Sequence, residues 1–159
     1  MIVYHSYTQG TLQMAEAAAA GARPEFGVKV CLMRAADAAA GEVLTADGFI
    51  FATPETLAAI SGQMKDFFDR TYYEALDRLN GRPYATLVCA GSDGRNAAAQ
   101  IERIATGWRL KAIAAPLIVC THAQTPEAIL RPKRISGQDL ARCRDLGATL
   151  AAGITLGIF

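Results

Sequence analysis

Hydroxyl-bearing residues are concentrated where the first apolar segment of the chain ends. The stretch Ser6-Tyr7-Thr8-Gln9-Gly10-Thr11, called the first loop below, contains no lysine or arginine and runs into an alanine-rich segment. Hydroxyls and backbone N–H groups at the start of a helix can bind a phosphate dianion without a cation. The loop has neither the Walker spacing nor the GxGxxG spacing. A phosphate site and a plain strand-to-helix turn with Thr11 as N-cap both remain open.

The elements that must position this loop alternate between apolar strands and amphipathic helices. The pattern predicts strands at 1–4, 28–33, 48–53, 84–90 and 115–120, and helices at 11–22, 61–79, 96–108 and from the capping pattern Ser136-Gly137-Gln138-Asp139 onward. Apolar strands that alternate with helices indicate a parallel sheet covered on both faces. The sequence therefore predicts an α/β fold, a three-layer αβα sandwich whose five-stranded parallel sheet has the flavodoxin-like order 2-1-3-4-5. We expect residues 1–159 to form one domain.

Two further loops are expected to lie beside the first. Ligands of such sheets bind beyond the carboxyl ends of the strands, near the point where the strand order reverses. The second loop, Thr53–Leu57, follows the third predicted strand, and the third loop, Gly91–Gly94, follows the fourth. The three loops together are the predicted ligand site.

Three stretches of the chain, namely the first loop, residues 46–54 and residues 61–71, resemble motifs of the flavodoxin-like NAD(P)H-dependent FMN reductases and quinone reductases. The first loop is similar to the S/T-x-T-G-x-T phosphate loop of flavodoxins and of these reductases. More specific are the stretches ADGFIFATP at 46–54 and SGQMKDFFDRT at 61–71, which are similar to the signature of the reductases. The resemblance covers roughly residues 1–120.

The resemblance implies an oxidoreductase that passes electrons from NAD(P)H through FMN to a quinone-like or other small acceptor. Because the cofactors react with each other, it implies no catalytic side chain. It assigns to the FMN phosphate the residues Ser6, Thr8, Gln9, Gly10, Thr11 and Leu12. It places beside the isoalloxazine the residues Thr53, Pro54, Glu55, Thr56 and Leu57, and at its pyrimidine edge Gly91, Ser92, Asp93 and Gly94.

The second loop departs from the family pattern. An aromatic residue commonly follows Thr-Pro and lies along the flavin, whereas this chain has Glu55-Thr56-Leu57. Loss of stacking predicts FMN binding that is weaker by about 1 kcal/mol. A flavodoxin-type electron carrier and a flavodoxin-like domain that has lost its cofactor are the alternative functions.

The net charge, hydropathy and cysteine pattern limit the classes of partner and the location of the protein. The net charge of +1 selects neither nucleic acid nor an anionic membrane, and no apolar run is long enough to predict a membrane span. The scattered cysteines and histidines form no metal motif. Unpaired cysteine spacing and the lack of a secretory leader predict a cytoplasmic protein. The family resemblance implies a homodimer.

One basic cluster is not explained by the FMN site. Residues 81–159 contain ten Lys or Arg and five Asp or Glu, and three of those bases lie in Arg131-Pro132-Lys133-Arg134. This cluster follows the last predicted strand, on the ligand side of the sheet. A solvated surface is the default interpretation, and a site for the 2′-phosphate of NADPH is the alternative.

Overall fold

A computed structural model, which describes residues 1–159, contains seven strands and six helices. The strands are β1 (Ile2–Tyr4), β2 (Leu32–Arg34), β3 (Phe49–Thr56), β4 (Ala59–Ile60), β5 (Pro83–Ala90), β6 (Lys111–Ala112) and β7 (Leu117–Cys120). The helices are α1 (Gly10–Ala22), α2 (Ala40–Thr45), α3 (Gly62–Ala75), α4 (Arg95–Gly107), α5 (Pro126–Leu130) and α6 (Gly137–Thr155).

The sheet confirms the predicted strand order, with the last strand divided in two. The order β2-β1-β3-β5 is parallel throughout, and both β6 and β7 pair in parallel with the free edge of β5. Tyr84 is paired with Ala112 and Leu87 with Leu117, so the outer strand carries more residues than β5 over the same length. The extra residues include Pro116, which cannot donate to a ladder. They interrupt the fifth strand of the 2-1-3-4-5 order.

Alternating side chains divide the core into two layers. On β3, Phe49 and Phe51 pack toward α3 and α4, whereas Ile50 and Ala52 pack toward α1 and α6. This alternation is the period of two expected of a strand buried on both faces. The three-layer αβα sandwich predicted from the sequence is therefore confirmed.

Helices α1 and α6 approach each other backbone to backbone. A Cβ atom at Gly147 would collide with the carbonyl of Ala18, and one at Gly21 would collide with the carbonyl of Arg144. Small residues are required at such a contact, which explains why α1 is so rich in alanine. The contact fixes the axis of α1 and therefore the position of its N-terminus.

Several boundaries differ from the sequence predictions. Only Leu32 and Met33 of the predicted 28–33 strand enter the sheet, and β2 ends one residue later, at Arg34. Helices α2 and α5 were not predicted, because six and five residues are too few to show a helical period. Tyr72 lies on the apolar face that helical spacing predicts for the 61–79 segment, but it is 39% exposed. None of the helices is both long enough and apolar enough to cross a membrane.

Strand β3 runs beyond its predicted end and forms a hairpin with β4. It continues to Thr56, turns through Leu57 and Ala58, and pairs antiparallel with β4. Leu57 and Ala58 have φ values of 50° and 57°, in the left-handed region that favours glycine or asparagine. The second loop is therefore the arm and tip of a strained hairpin, a feature that the sequence did not indicate.

Candidate functional site

The first loop leads directly into α1 with a left-handed residue at the N-cap. Gln9 has φ 71° and occupies the N-cap position, with no side-chain capping bond. The alternative in which Thr11 caps the helix is wrong, because α1 already begins at Gly10 and Thr11 lies inside its first turn. The first helical hydrogen bond of α1 runs from the backbone N–H of Gln13 to the Gln9 carbonyl, at 3.1 Å. The N–H groups of residues 10–12 consequently have no acceptor within the chain.

The first loop is held from one side by the segment 131–135. The backbone N–H of Lys133 donates to the Thr8 carbonyl at 2.7 Å. The Gln13 side chain donates to the Lys133 carbonyl at 2.8 Å and accepts the N–H of Ile135 at 3.2 Å. These bonds fix the loop in place before any ligand arrives. Gln13 is a positioning residue that sequence analysis missed, although it is a polar side chain on an otherwise alanine-rich helix.

The floor of the first loop is tightly packed, and it contains an unpartnered hydroxyl. A Cβ atom at Gly10 would lie 2.6 Å from the Cys89 Sγ atom. Burial raises the pKa of the Cys89 thiol to about 11, so this thiol is neutral packing rather than a nucleophile. The Ser6 Oγ atom is buried and has no hydrogen-bond partner. Buried hydroxyls normally have a partner, so Ser6 lacks one that a ligand can supply.

The second loop begins with a buried hydroxyl that closes its base. The Thr53 side chain is fully buried, and its Oγ1 atom accepts the Ser61 N–H at 3.2 Å. The Ser61 Oγ atom in turn accepts the Met64 N–H at 3.3 Å and caps α3. The Thr53 hydroxyl is therefore already hydrogen-bonded within the protein, and it fixes the base of the hairpin.

Three hydrogen bonds attach the hairpin to α4. The Glu55 Oε2 atom accepts the Gly94 N–H at 2.8 Å, and Ile60 donates its N–H to Gln100 Oε1 at 3.0 Å. The Asn96 side-chain amide donates to the Ala58 carbonyl. Gly94 is the N-cap of α4, so the half-buried Glu55 carboxylate lies at the positive end of that helix. The second and third loops are thereby joined into one unit.

The tip of this hairpin carries an apolar side chain. Leu57 is 98% exposed, and the neighbouring Thr56 is exposed and makes no side-chain hydrogen bond. A strained backbone that presents a large apolar side chain to solvent is typical of a functional site. The tip is therefore available for contact with a bound ligand.

The third loop is open at its tip and supported from below. Ser92 and Asp93 are exposed, and Asp93 pairs with Arg95 at 2.6 Å, a hydrogen bond that lowers the pKa of the Asp93 carboxyl. The Gly91 carbonyl accepts the His122 N–H at 2.7 Å. A Cβ atom at Gly91 would lie 3.3 Å from the Ala123 carbonyl, so the loop and the chain after β7 are in close contact.

One histidine, His5, lies directly before the first loop and packs against a residue of it. The His5 ring is buried and packs edge-on against Tyr7, with ring centroids 4.3 Å apart. Burial lowers the pKa of His5, and a hydrogen bond with the Gln63 side chain opposes the shift. Its Nε2 atom has no partner. His5 is therefore held mainly neutral at the carboxyl end of β1.

The groups that the structure brings together fit FMN. The unbonded N–H groups of residues 10–12 and the Ser6 hydroxyl can hold a phosphate. The joined second and third loops follow β3 and β5, which end at the same edge of the sheet as β1. No cluster of His, Cys, Asp and Glu suited to a metal ion is present. The free N–H groups and the Ser6 hydroxyl suit the phosphate of an organic cofactor.

Comparison with solved structures supports the fold. A flavodoxin from the domain Archaea superposes with a TM-score of 0.78 at 19% identity, over 97% of this chain and 96% of that one. A flavodoxin, WrbA-like protein from Agrobacterium tumefaciens superposes with a TM-score of 0.77 at 21% identity, over 98% and 96% of the two chains. At these identities the likeness establishes the flavodoxin-like fold alone.

Sequence comparison identifies curated relatives over part of the chain. A flavodoxin of Aquifex aeolicus is 33% identical over 92 residues, 58% of this chain and 48% of that protein. An NAD(P)H dehydrogenase (quinone) of Acidithiobacillus ferrooxidans is 34% identical over 91 residues, 45% of this chain and 46% of that protein. Each match spans about half the length of the curated relative.

The family itself follows from a longer match. The sequence model of the NADPH-dependent FMN reductases matches residues 5–125, which include all three loops of the site. This confirms the resemblance that the 46–54 and 61–71 motifs indicated. The chain belongs to the NADPH-dependent FMN reductase family.

Proposed function

We propose that this protein is an FMN-containing oxidoreductase that passes electrons from NAD(P)H to a quinone-like or other small acceptor. The observation that carries the proposal is the first loop, which contains both the free N–H groups at the N-terminus of α1 and the unpartnered Ser6 hydroxyl, in a chain of this family. When bound, FMN supplies the hydride and electron chemistry. The family, NADPH-dependent FMN reductases, and the NAD(P)H dehydrogenase (quinone) relative both support this choice of reaction.

The chain's own residues would bind and orient rather than exchange protons. The first-loop residues Ser6 and Thr8–Leu12 would hold the phosphate, chiefly through N–H groups aligned with the α1 dipole. The hairpin would lie beside the flavin ring and the third loop at its pyrimidine edge, and their mutual hydrogen bond at Glu55 would hold the two loops in one arrangement. Leu57 would provide an apolar contact where the family commonly has an aromatic one.

A flavodoxin-type electron carrier is the second candidate. The Aquifex relative and the archaeal structure are both flavodoxins, which favours it. Flavodoxins are usually strongly acidic, however, and the net charge of +1 does not provide such a docking surface. A domain without cofactor is disfavoured by the unpartnered Ser6 hydroxyl and the free N–H groups.

Steady-state turnover separates these candidates. FMN-loaded protein should oxidise NADPH or NADH continuously when a soluble benzoquinone is present, and much faster than the same concentration of free FMN. An electron carrier would bind FMN yet fail to oxidise either nucleotide without a separate reductase. A protein that does not bind FMN at all would contradict both flavin hypotheses.

The assembly and location are further proposals. We infer a homodimer from the family, and the exposed aromatic pair Tyr72 and Tyr73 with neighbouring Leu76 gives α3 an apolar outer surface that supports it. Light scattering of the purified protein should give twice the chain mass. A cytoplasmic location is supported by four cysteines that are all free thiols.

A further inference from the structure

A cavity of about 380 Å³ adjoins the candidate flavin site at the carboxyl end of β7. Its walls come from residues 119–123, the segment 131–135 and the first turn of α6. The backbone N–H of Lys133 donates to the Thr8 carbonyl at 2.7 Å, and that of His122 donates to the Gly91 carbonyl at 2.7 Å. The cavity is therefore in direct contact with both the first and the third loop.

The charged lining of this cavity is mostly cationic. Arg131, Lys133 and Arg134 line it, against the single carboxylate of Asp139. The Asp139 carboxylate is already engaged, since it accepts hydrogen bonds from Arg142 at 3.0 Å and from the Ser136 hydroxyl at 2.7 Å. The cavity thus offers excess positive charge to an anion.

Two of the three cations are free to bind that anion. The Lys133 Nζ atom is occupied, because it donates to the carbonyls of Ala128, Ile129 and Arg131 at 2.7, 2.7 and 2.6 Å and so caps α5. Arg131 and Arg134 are exposed and make no side-chain hydrogen bond or ion pair. Two unpaired guanidinium groups beside one cavity suit a phosphate monoester, whose oxygens accept paired N–H donors.

The proposed function assigns the phosphate of FMN to the N–H groups at the N-terminus of α1, which leaves the two arginines of this cavity for a second phosphate. NADPH differs from NADH by one such monoester, on the 2′ position of its adenosine ribose. We propose that Arg131 and Arg134 bind the 2′-phosphate of NADPH in this cavity and make the protein prefer NADPH to NADH. The inference rests on the proposed function. Both arginines lie beyond residues 5–125, the part of the chain that the family model matches.

A binding comparison tests the cavity without any turnover. Calorimetry on FMN-loaded protein in a phosphate-free buffer of low ionic strength would measure the affinities of 2′,5′-ADP and 5′-AMP. These two ligands differ only in the 2′-phosphate. We expect 2′,5′-ADP to bind at least about tenfold more tightly, as charge-assisted bonds to a phosphate imply. Equal affinity in the unmodified protein would overturn the proposal.

The double substitution Arg131→Gln with Arg134→Gln assigns the effect to these side chains. It should remove the preference for 2′,5′-ADP and reduce kcat/KM for NADPH about tenfold or more, while kcat/KM for NADH and the affinity for FMN stay unchanged. The matched control is Arg103→Gln, an exposed arginine without an ion pair on α4, on the opposite face of the sheet. The control should change none of these quantities.

Other outcomes have definite meanings. An unchanged NADPH-to-NADH ratio in the double variant would overturn the proposal, and so would a loss of FMN affinity instead, because the arginines would then hold the FMN phosphate. If neither nucleotide is oxidised, the proposed function fails, and the calorimetric comparison alone decides the inference.

Discussion

Replacing Gly10 by alanine should destabilise the protein, because Gly10 lies against a buried thiol. The added Cβ atom would lie 2.6 Å from Cys89 Sγ and 3.3 Å from the Lys133 Cβ atom. Cys89 is 7% exposed on the central strand β5, which limits its freedom to move aside. Overpacking of this kind costs about 1–3 kcal/mol. For a chain of 159 residues this corresponds to a fall in Tm of about 3–9 °C.

Thermal and urea denaturation would measure this loss against a matched control. Gly62 is likewise the first residue of its helix, α3, but a Cβ atom added there would meet nothing within 4 Å, so Gly62→Ala should change the free energy of unfolding by less than about 0.5 kcal/mol. Combining Gly10→Ala with Cys89→Ala should restore part of the loss, as expected for two atoms that collide. Equal stability of the two glycine variants, or strictly additive effects in the double variant, would refute the reasoning.

Three further predictions concern the site. Thr11→Ala should weaken the binding of FMN about five- to thirtyfold, because one hydroxyl is lost. Riboflavin, which lacks the phosphate, should bind the unmodified protein far more weakly than FMN does. Equilibrium dialysis measures both affinities. Glu55→Gln should raise the two-electron midpoint potential of the bound flavin by about 20 mV at low salt, because it removes about 1 kcal/mol of repulsion between the carboxylate and the reduced ring. A redox titration measures this potential, and a shift under about 10 mV would contradict the prediction. Because burial lowers the pKa of His5 below its ordinary 6.5, protonation opposes folding. Stability should therefore fall as the pH drops below about 6.5, and His5→Gln should flatten the fall in urea midpoints.

Much of the fold could be predicted from the sequence because its strands are apolar throughout. The run 84–90 is buried at every position and is recognisable as a central strand, and the Ser136 capping pattern marks the start of α6 correctly. The interrupted fifth strand could not be anticipated, because the division depends on its register against β5.

The location of the site was predictable, but the bonds that shape it were not. Parallel strands place their carboxyl ends at one edge, so the three loops follow from topology. The hairpin from Thr53 to Ile60 is held by Gly94, Asn96 and Gln100, whose partners are far away in sequence. A left-handed Leu57 contradicts local propensity, and only those tertiary bonds show why it is tolerated.

The most direct test of the flavin assignment is an anaerobic titration of the FMN-loaded protein with NADPH, followed by the visible absorption of the flavin. The account predicts that FMN remains bound through gel filtration and that its absorption band is bleached by about one equivalent of NADPH, as a two-electron transfer requires. A protein that emerges colourless, or a bound flavin whose absorption is unchanged by excess NADPH and NADH, would contradict it.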